Sequence, residues 1–302
     1  MLKKLIGLIV VTLWYAVALF SIEWVAMPIA NSSPFIQEIL QFPGGDANEL
    51  FWLTIWMTIV VFIGSSIHRN ASLYDPYWSV LPILFTLLGP VMHLFSEIGM
   101  REYFLMAVIF TWGVRLTGNW IYTWKGLHHQ DWRYTELKKK TGLWYPAVNF
   151  LGIHLFPTLI VFVAYLPAVE VFGGDRPPLQ FLDFIAVAIG FFGIAIQTTA
   201  DIQMHRFRKR FRGQINQKGL WGWSRHPNYL GEISIWVSVF LFGISAGAPL
   251  WPTVICPLGM IALFVFISIP MMEKRQSKKD GWEKYQSNVG MLLPKIWRGK
   301  SG

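Results

Sequence analysis

The chain has 302 residues, 54% of them apolar, with 16 Trp, 23 Phe and only 14% charged residues, a balance that excludes a typical soluble domain and belongs to the membrane class. The formal net charge of +9 gathers in the connections between apolar stretches, which reads as loops facing anionic headgroups and not as a nucleic-acid surface. Cys256 is the single cysteine, so a disulfide framework and a Cys-based metal site are excluded as well.

A bilayer span needs roughly 20 mostly apolar residues. Windows of that kind fall at about 4–28, 50–67, 77–96, 102–124, 146–170, 180–200, 228–247 and 250–271. The fold class is therefore all-α: a polytopic transmembrane helical bundle of about eight spans. Lys3 and Lys4 precede the first window as they would in a secretory signal. That run continues through Trp14, Tyr15 and Trp24 without a small-x-small cleavage site, so it reads as a retained span.

With both termini on the cytoplasmic side, every Lys and Arg except Arg101, Arg176 and the intraspan Arg115 lies inside. The outer side then carries Glu38, Asp46, Glu49, Glu97, Glu102 and Asp175. Connections inside are rich in motif-like residues (125–143, 202–227 and the tail from Glu273), whereas those outside are short. The tail EKRQSKKDGWEKYQ reads as an amphipathic helix lying along the membrane surface.

Ionisable groups within spans are costly and so are candidates for function. In chain order the first is Asp75, in LYDPYWSVLP, beside Tyr74 at the start of the third span. It is either a helix cap ahead of Pro76 or a carboxyl facing an apolar pocket, where desolvation would keep it protonated near neutral pH. Arg115 shares a face of the fourth span with Trp112 and Asn119, as a structural cation paired with an acid or as an anion clamp. Gln197 and Asp201 end the sixth span on one face, with Arg208 two turns on if the helix continues. They form either a surface salt bridge or a site that reads hydroxyls, an amide and a phosphate.

The densest group is GLWGWSRHPNYLGE at 219–232, where Arg225, His226, Asn228, Tyr229 and Glu232 surround Pro227 at a helix start suited to a phosphate or carboxylate. No second His stands at ligand spacing from His226, so no metal is expected. A Walker loop, a Rossmann glycine pattern and a Ser-His-Asp elbow are all missing from the sequence.

SRHPNYLGE after a GLW turn, ADIQ upstream, WGVRL with Asn119, YDPYW and the closing E…GW..Y together resemble the steroid 5-alpha-reductase-like membrane proteins. More narrowly they resemble the family's bacterial branch known as a domain of unknown function. RHP-x-Y alone is also shared with isoprenylcysteine and phospholipid methyltransferases. The resemblance covers about 70–300, leaving 1–70 as an N-terminal transmembrane pair and 71–302 as the family-like domain.

The resemblance implies NADPH among the cytoplasmic halves of the later helices and an acid in an early helix that hydrogen-bonds a substrate ketone. Asp75 takes the place of that acid and Tyr74 that of its polar neighbour. Arg115, Gln197, Asp201, Arg208, Asn228 and Glu232 fall where members of that family contact cofactor, and Asn119, Arg225, His226 and Tyr229 beside them complete the candidate cofactor-binding set. Trp112 stands where family reductases carry the proton-donating tyrosine, so Tyr74 becomes the next candidate donor.

The expected function is thus an integral membrane, NADPH-dependent reduction of the C=C bond of a hydrophobic, steroid- or isoprenoid-like enone, in a bacterial inner membrane. The expected partners are a lipid-like substrate and membrane lipids, with neither nucleic acid nor metal. The alternatives are an S-adenosylmethionine-dependent lipid or isoprenylcysteine-type methyltransferase, and a non-catalytic membrane protein.

Overall fold

Long apolar runs with no water to satisfy their backbone groups close their hydrogen bonds within the segment, as helices. The computed structural model describes residues 2–32, 46–92, 98–173 and 177–295. Its longer helices are α1 Leu2–Phe20, α2 Ile22–Ser32, α3 Asp46–Ile67, α4 Tyr77–Met92, α5 Met100–Thr123, α6 Trp132–Thr141, α7 Phe156–Phe172, α8 Phe181–Arg210, α9 Pro227–Ala246, α10 Ile255–Ala262, α11 Ile269–Gln276 and α12 Trp282–Asn288. The π-helical stretches Asn149–Leu155 and Leu263–Ser268 run directly into α7 and α11. Among the described residues there is no strand, only an isolated bridge between Ser224 and Gly290.

The chain is an integral membrane protein: among the described residues, seven helical segments are long and apolar enough to cross a bilayer. The third expected span corresponds to α4, described over 16 residues to Met92; the rest of that window, to 96, lies outside the described residues. The charge assignments at Glu38, Glu97, Asp175 and Arg176 also lie outside them. Lys4 Nζ reaches Tyr122 O (3.4 Å), at the end of the bundle where the loops around 130, 215 and 280 meet. The start of α1 and the C-terminal tail thus share this end, called the basic end below.

Three boundaries differ from the sequence expectation. The first window breaks at Ser21 into α1 and α2, with Pro28 inside α2. Helix α8 runs ten residues past its expected end, to Arg210, giving a rod of about 45 Å at 1.5 Å per residue. The tail is split: α11 stops at Gln276, Gly281 takes φ 78°, and α12 follows. Trp282, Tyr285 and Val289 form the apolar face of α12 and bury against Ile215, while Tyr285 donates to Trp221 O at 2.7 Å. That face is taken up by the protein's own 215–225 loop.

Most buried apolar side chains, including Ala18, Ile22 and Ala26 of the first two helices, join one continuous core. Helices α8 and α9 meet backbone to backbone. A Cβ on Gly193 would stand 2.6 Å from Gly231 O, and one on Gly231 would stand 2.6 Å from Gly193 O and from Gln197 Cγ. Small residues at such crossings let membrane helices approach closely. Gly231→Val should therefore push the two helices apart and lower stability by about 1–3 kcal/mol, the range for overpacking. Thermal melting in detergent checks this, and an unchanged midpoint would contradict the close contact.

Candidate functional site

The Gly193/Gly231 contact sets the depth at which α8 faces α9, and one turn further along α8 it brings Gln197 onto Glu232. Glu232 is 2% exposed. Its Oε2 accepts from Trp112 Nε1 (3.0 Å) and from Gln197 Nε2, and its Oε1 accepts from Trp236 Nε1 (3.1 Å). Three N–H donors on one carboxylate offset much of its desolvation.

The α5 and α8 faces continue this contact as rungs toward the basic end. Arg115 pairs with Asp201 (2.8 Å), and Asn119 Oδ1 accepts from His205 Nε2 (2.7 Å). The i, i+4 spacing of 197, 201 and 205 repeats that of 115 and 119, so each set lies on one helix face and the packing of α5 against α8 joins them as rungs. His205 was not among the sequence candidates, although its spacing from Asp201 would have found it. Arg115 Nε and Gln197 Oε1 are buried and have no hydrogen-bond partner among the described residues. An unpaired buried donor and acceptor in one polar cluster suits a ligand that supplies the complementary groups.

At the start of α9, the His226 ring stacks on Tyr229 (5.3 Å between centroids, 10° between planes), and Tyr229 packs on Phe264. His226 Nε2 lies 3.0 Å from Glu273 Oε1. A carboxylate only accepts, so Nε2 carries the proton; burial holds the imidazole below its ordinary value, with Glu273 opposing. Asn228 lies half-buried in the first turn.

Arg225 departs from the expectation of a phosphate ligand. Its Nε donates to the same Glu273 (2.7 Å) and its Nη1 to the carbonyls of Gln286 and Val289. The guanidinium is committed to holding the tail. Arg208, also expected at the cofactor, lies within electrostatic reach of Arg275 and Lys279 of the tail, with Asp201 partly offsetting it. Burial, and after it Arg208 and Arg275, pull the Lys279 ammonium below its ordinary value. Arg275 stacks over Trp132 at 4.1 Å. The tail run KRQSKK holds Arg275 and Lys279, but in the sequence its charges fit a surface helix equally well.

Asp75 sits in the turn before α4. Residues 127–131 are strapped across this turn: Asn70 Nδ2 donates to Leu127 O (2.6 Å), Ala71 N to Gln130 Oε1 (2.9 Å) and Asp131 N to Ser72 Oγ (2.9 Å). The strap ends with Tyr134 donating to Asp75 Oδ1 at 2.6 Å. Burial pushes the Asp75 carboxyl up to about 6, with Arg133 and Tyr134 drawing it back. That is lower than expected from the sequence: one pH unit above it, roughly ten carboxylates are ionised for each one protonated.

Tyr74, the expected neighbour, points its hydroxyl instead to Thr158 Oγ1 (3.0 Å) and lays its ring against His154 (5.1 Å). The Asp75 turn is linked to the Glu232 cluster and to the start of α9. Trp78 meets Trp112 edge-on at 6.3 Å, and Arg133 and Asp131 lie within electrostatic reach of Tyr229.

Among the described residues no three His, Cys, Asp or Glu side chains are grouped as a metal site requires. Comparison with known proteins places the chain among relatives whose activity is not assigned. An uncharacterized protein of Schizosaccharomyces pombe is 28% identical over 296 aligned residues, which cover 88% of this chain and 81% of that protein. No solved structure matches the chain. The model of a family described as proteins of unknown function, DUF1295, matches residues 61–289, from within α3 through α12 and so across every site residue above, and the chain belongs to that family.

Proposed function

We propose that this chain is an NADPH-dependent reductase of the activated carbon–carbon double bond of a hydrophobic enone, steroid- or isoprenoid-like, with its basic end facing the cytoplasm. The observation that carries this reading is the convergence of Arg208, Arg275 and Lys279. A dinucleotide with a pyrophosphate and a further phosphate offsets three mutually repelling cations, whereas the sulfonium of S-adenosylmethionine adds another positive charge. The unpartnered Arg115 Nε and Gln197 Oε1 support the same reading, because a polar ligand would complete both. The resemblance of the RHP-x-Y, ADIQ and YDPYW segments to steroid 5-alpha-reductase-like proteins points the same way.

In this reading Arg208, Arg275 and Lys279 hold phosphate, and Arg115, Asn119, Gln197, Asp201 and Asn228 hold the hydroxyls and amide of the cofactor. NADPH, when bound, supplies a hydride. Protonated Asp75 donates a hydrogen bond to the enone oxygen, where negative charge gathers as the double bond is reduced. Trp112 Nε1 is spent on Glu232 and gives no proton. A tyrosine or water therefore completes the α-carbon.

The test is NADPH oxidation by the purified protein with a panel of 4-en-3-one steroids and prenyl enones, with the product weighed by mass spectrometry. A product heavier by two hydrogens is expected. No oxidation with any member of the panel would overturn the reading.

A further inference from the structure

The reductase reading leaves open what holds the acid in place, because Trp112 of α5 is spent on Glu232 and Tyr74 is turned toward Thr158. Asp75 is approached from three directions. Tyr15 of α1 lies within electrostatic reach but gives its hydroxyl to Leu73 O at 2.7 Å. Tyr74 neighbours it in the chain. From the strap come Asp131, Arg133 and Tyr134. Arg133 Nε is bound to Asp131 Oδ1 at 2.8 Å, and the same carboxylate takes Arg133 N to start α6. The Ser72 hydroxyl, which takes Asp131 N, also bonds the carboxyl from its own turn, and the Tyr134 hydroxyl makes the short bond from outside that turn, at 2.6 Å.

We infer that Tyr134 is the positioning residue for the acid of this site: delivered by the strap, its hydroxyl claims Oδ1 of Asp75 and leaves the acid proton to Oδ2, the oxygen that meets the substrate. The inference rests on the reductase reading for the role of Asp75, though not for the contact itself. The hydroxyl oxygen of a carboxylic acid is a much weaker acceptor than its carbonyl oxygen, so the bond favours one tautomer as well as one rotamer. It also favours the carboxylate, countering the desolvation that favours the acid, and so keeps Asp75 able to exchange its proton near neutral pH. The hydroxyl that holds the acid thus enters from the first turn of α6. Its carrier is fastened to the 70–72 turn by the Asn70, Gln130 and Ser72 hydrogen bonds.

The experiment titrates Asp75 in the cofactor-free protein by infrared difference spectroscopy, following the protonated carboxyl band that Asp75→Asn removes. Tyr134→Phe retains the ring and its packing while removing the donor. Its midpoint should rise by about one pH unit, a tenfold change in the ionised fraction at fixed pH. Tyr74→Phe should leave the midpoint where it is. An unchanged midpoint in Tyr134→Phe, or a shift in Tyr74→Phe in its place, would overturn the inference. If an enone is turned over, the alkaline limb of its pH profile should move upward in Tyr134→Phe by the same amount, which a merely structural role would not do. A shifted midpoint in a protein that reduces no enone would defeat the reductase reading and leave the positioning contact standing.

Discussion

Asp75→Leu is expected to lower enone turnover by about 10²–10⁴-fold, the contribution of a positioned general acid, while NADPH affinity stays near the parental value. The reason is geometric. The carboxyl takes the Tyr134 hydroxyl, has the Ser72 hydroxyl beside it, and lies across Trp78 and Trp112 from the Glu232 cluster. On the reductase reading, removing it takes away the donor to the substrate oxygen without touching Arg208, Arg275 or Lys279. Asp75→Asn keeps a donor and should lose less. Were Asp75 a helix cap for α4 alone, Leu would cost roughly 1 kcal/mol of stability and leave turnover unchanged.

The acid form also fixes the pH dependence. Because the folded value is raised to about 6, turnover should fall as pH rises through that value and the proton is lost. The sign for stability is the same: between the ordinary carboxylate range and about 6 the unfolded chain has released a proton that the native state keeps, so stability declines as pH rises.

At the opposite end of the bundle the largest effect on stability is expected from Arg101→Leu, about 3–5 kcal/mol, the cost of leaving a buried charge unpaired. Arg101 is 3% exposed and Asp183 0%. The guanidinium meets both carboxylate oxygens, at 2.8 and 3.0 Å, and its other N–H groups donate to the carbonyls of Pro177 and Pro178. Asp183 in turn accepts from Gln180 N, closing the capping box that starts α8. One substitution thus takes the guanidinium from a buried carboxylate and from two carbonyls. The double variant Arg101→Leu/Asp183→Leu should recover part of the loss, because apolar replacement of a whole buried pair is often close to neutral. A thermal midpoint within about a degree of the parent for Arg101→Leu would contradict this.

Some of this is legible in the sequence, because it depends on one helix at a time. Length and apolarity mark the spans, and i, i+4 spacing alone puts Gln197 on one face with Asp201 and Arg115 on one face with Asn119. What cannot be read there depends on chain segments that are distant in sequence. Arg225 carries every mark of a phosphate ligand at a helix start, and nothing nearby shows that Glu273, 48 residues on, will claim it. Tyr134 lies 59 residues from Asp75 and reaches it only because an irregular strap is bonded to the 70–72 turn. Arg275 and Lys279 look like any basic tail until a break near Gly281 folds α12 back on the 215–225 loop. Tyr74 shows the converse, since adjacency to Asp75 in the chain sends two successive side chains to different partners.

The most direct measurement is calorimetric titration of the purified, detergent-solubilised protein with NADPH, NADH and S-adenosylhomocysteine. NADPH is expected to bind, and Arg208→Ala and Lys279→Ala should each weaken it by about 1.5–3 kcal/mol, the range for charge-assisted hydrogen bonds. S-adenosylhomocysteine is expected to give no heat. Tight binding of S-adenosylhomocysteine with none of NADPH would contradict the reductase account and favour a methyltransferase.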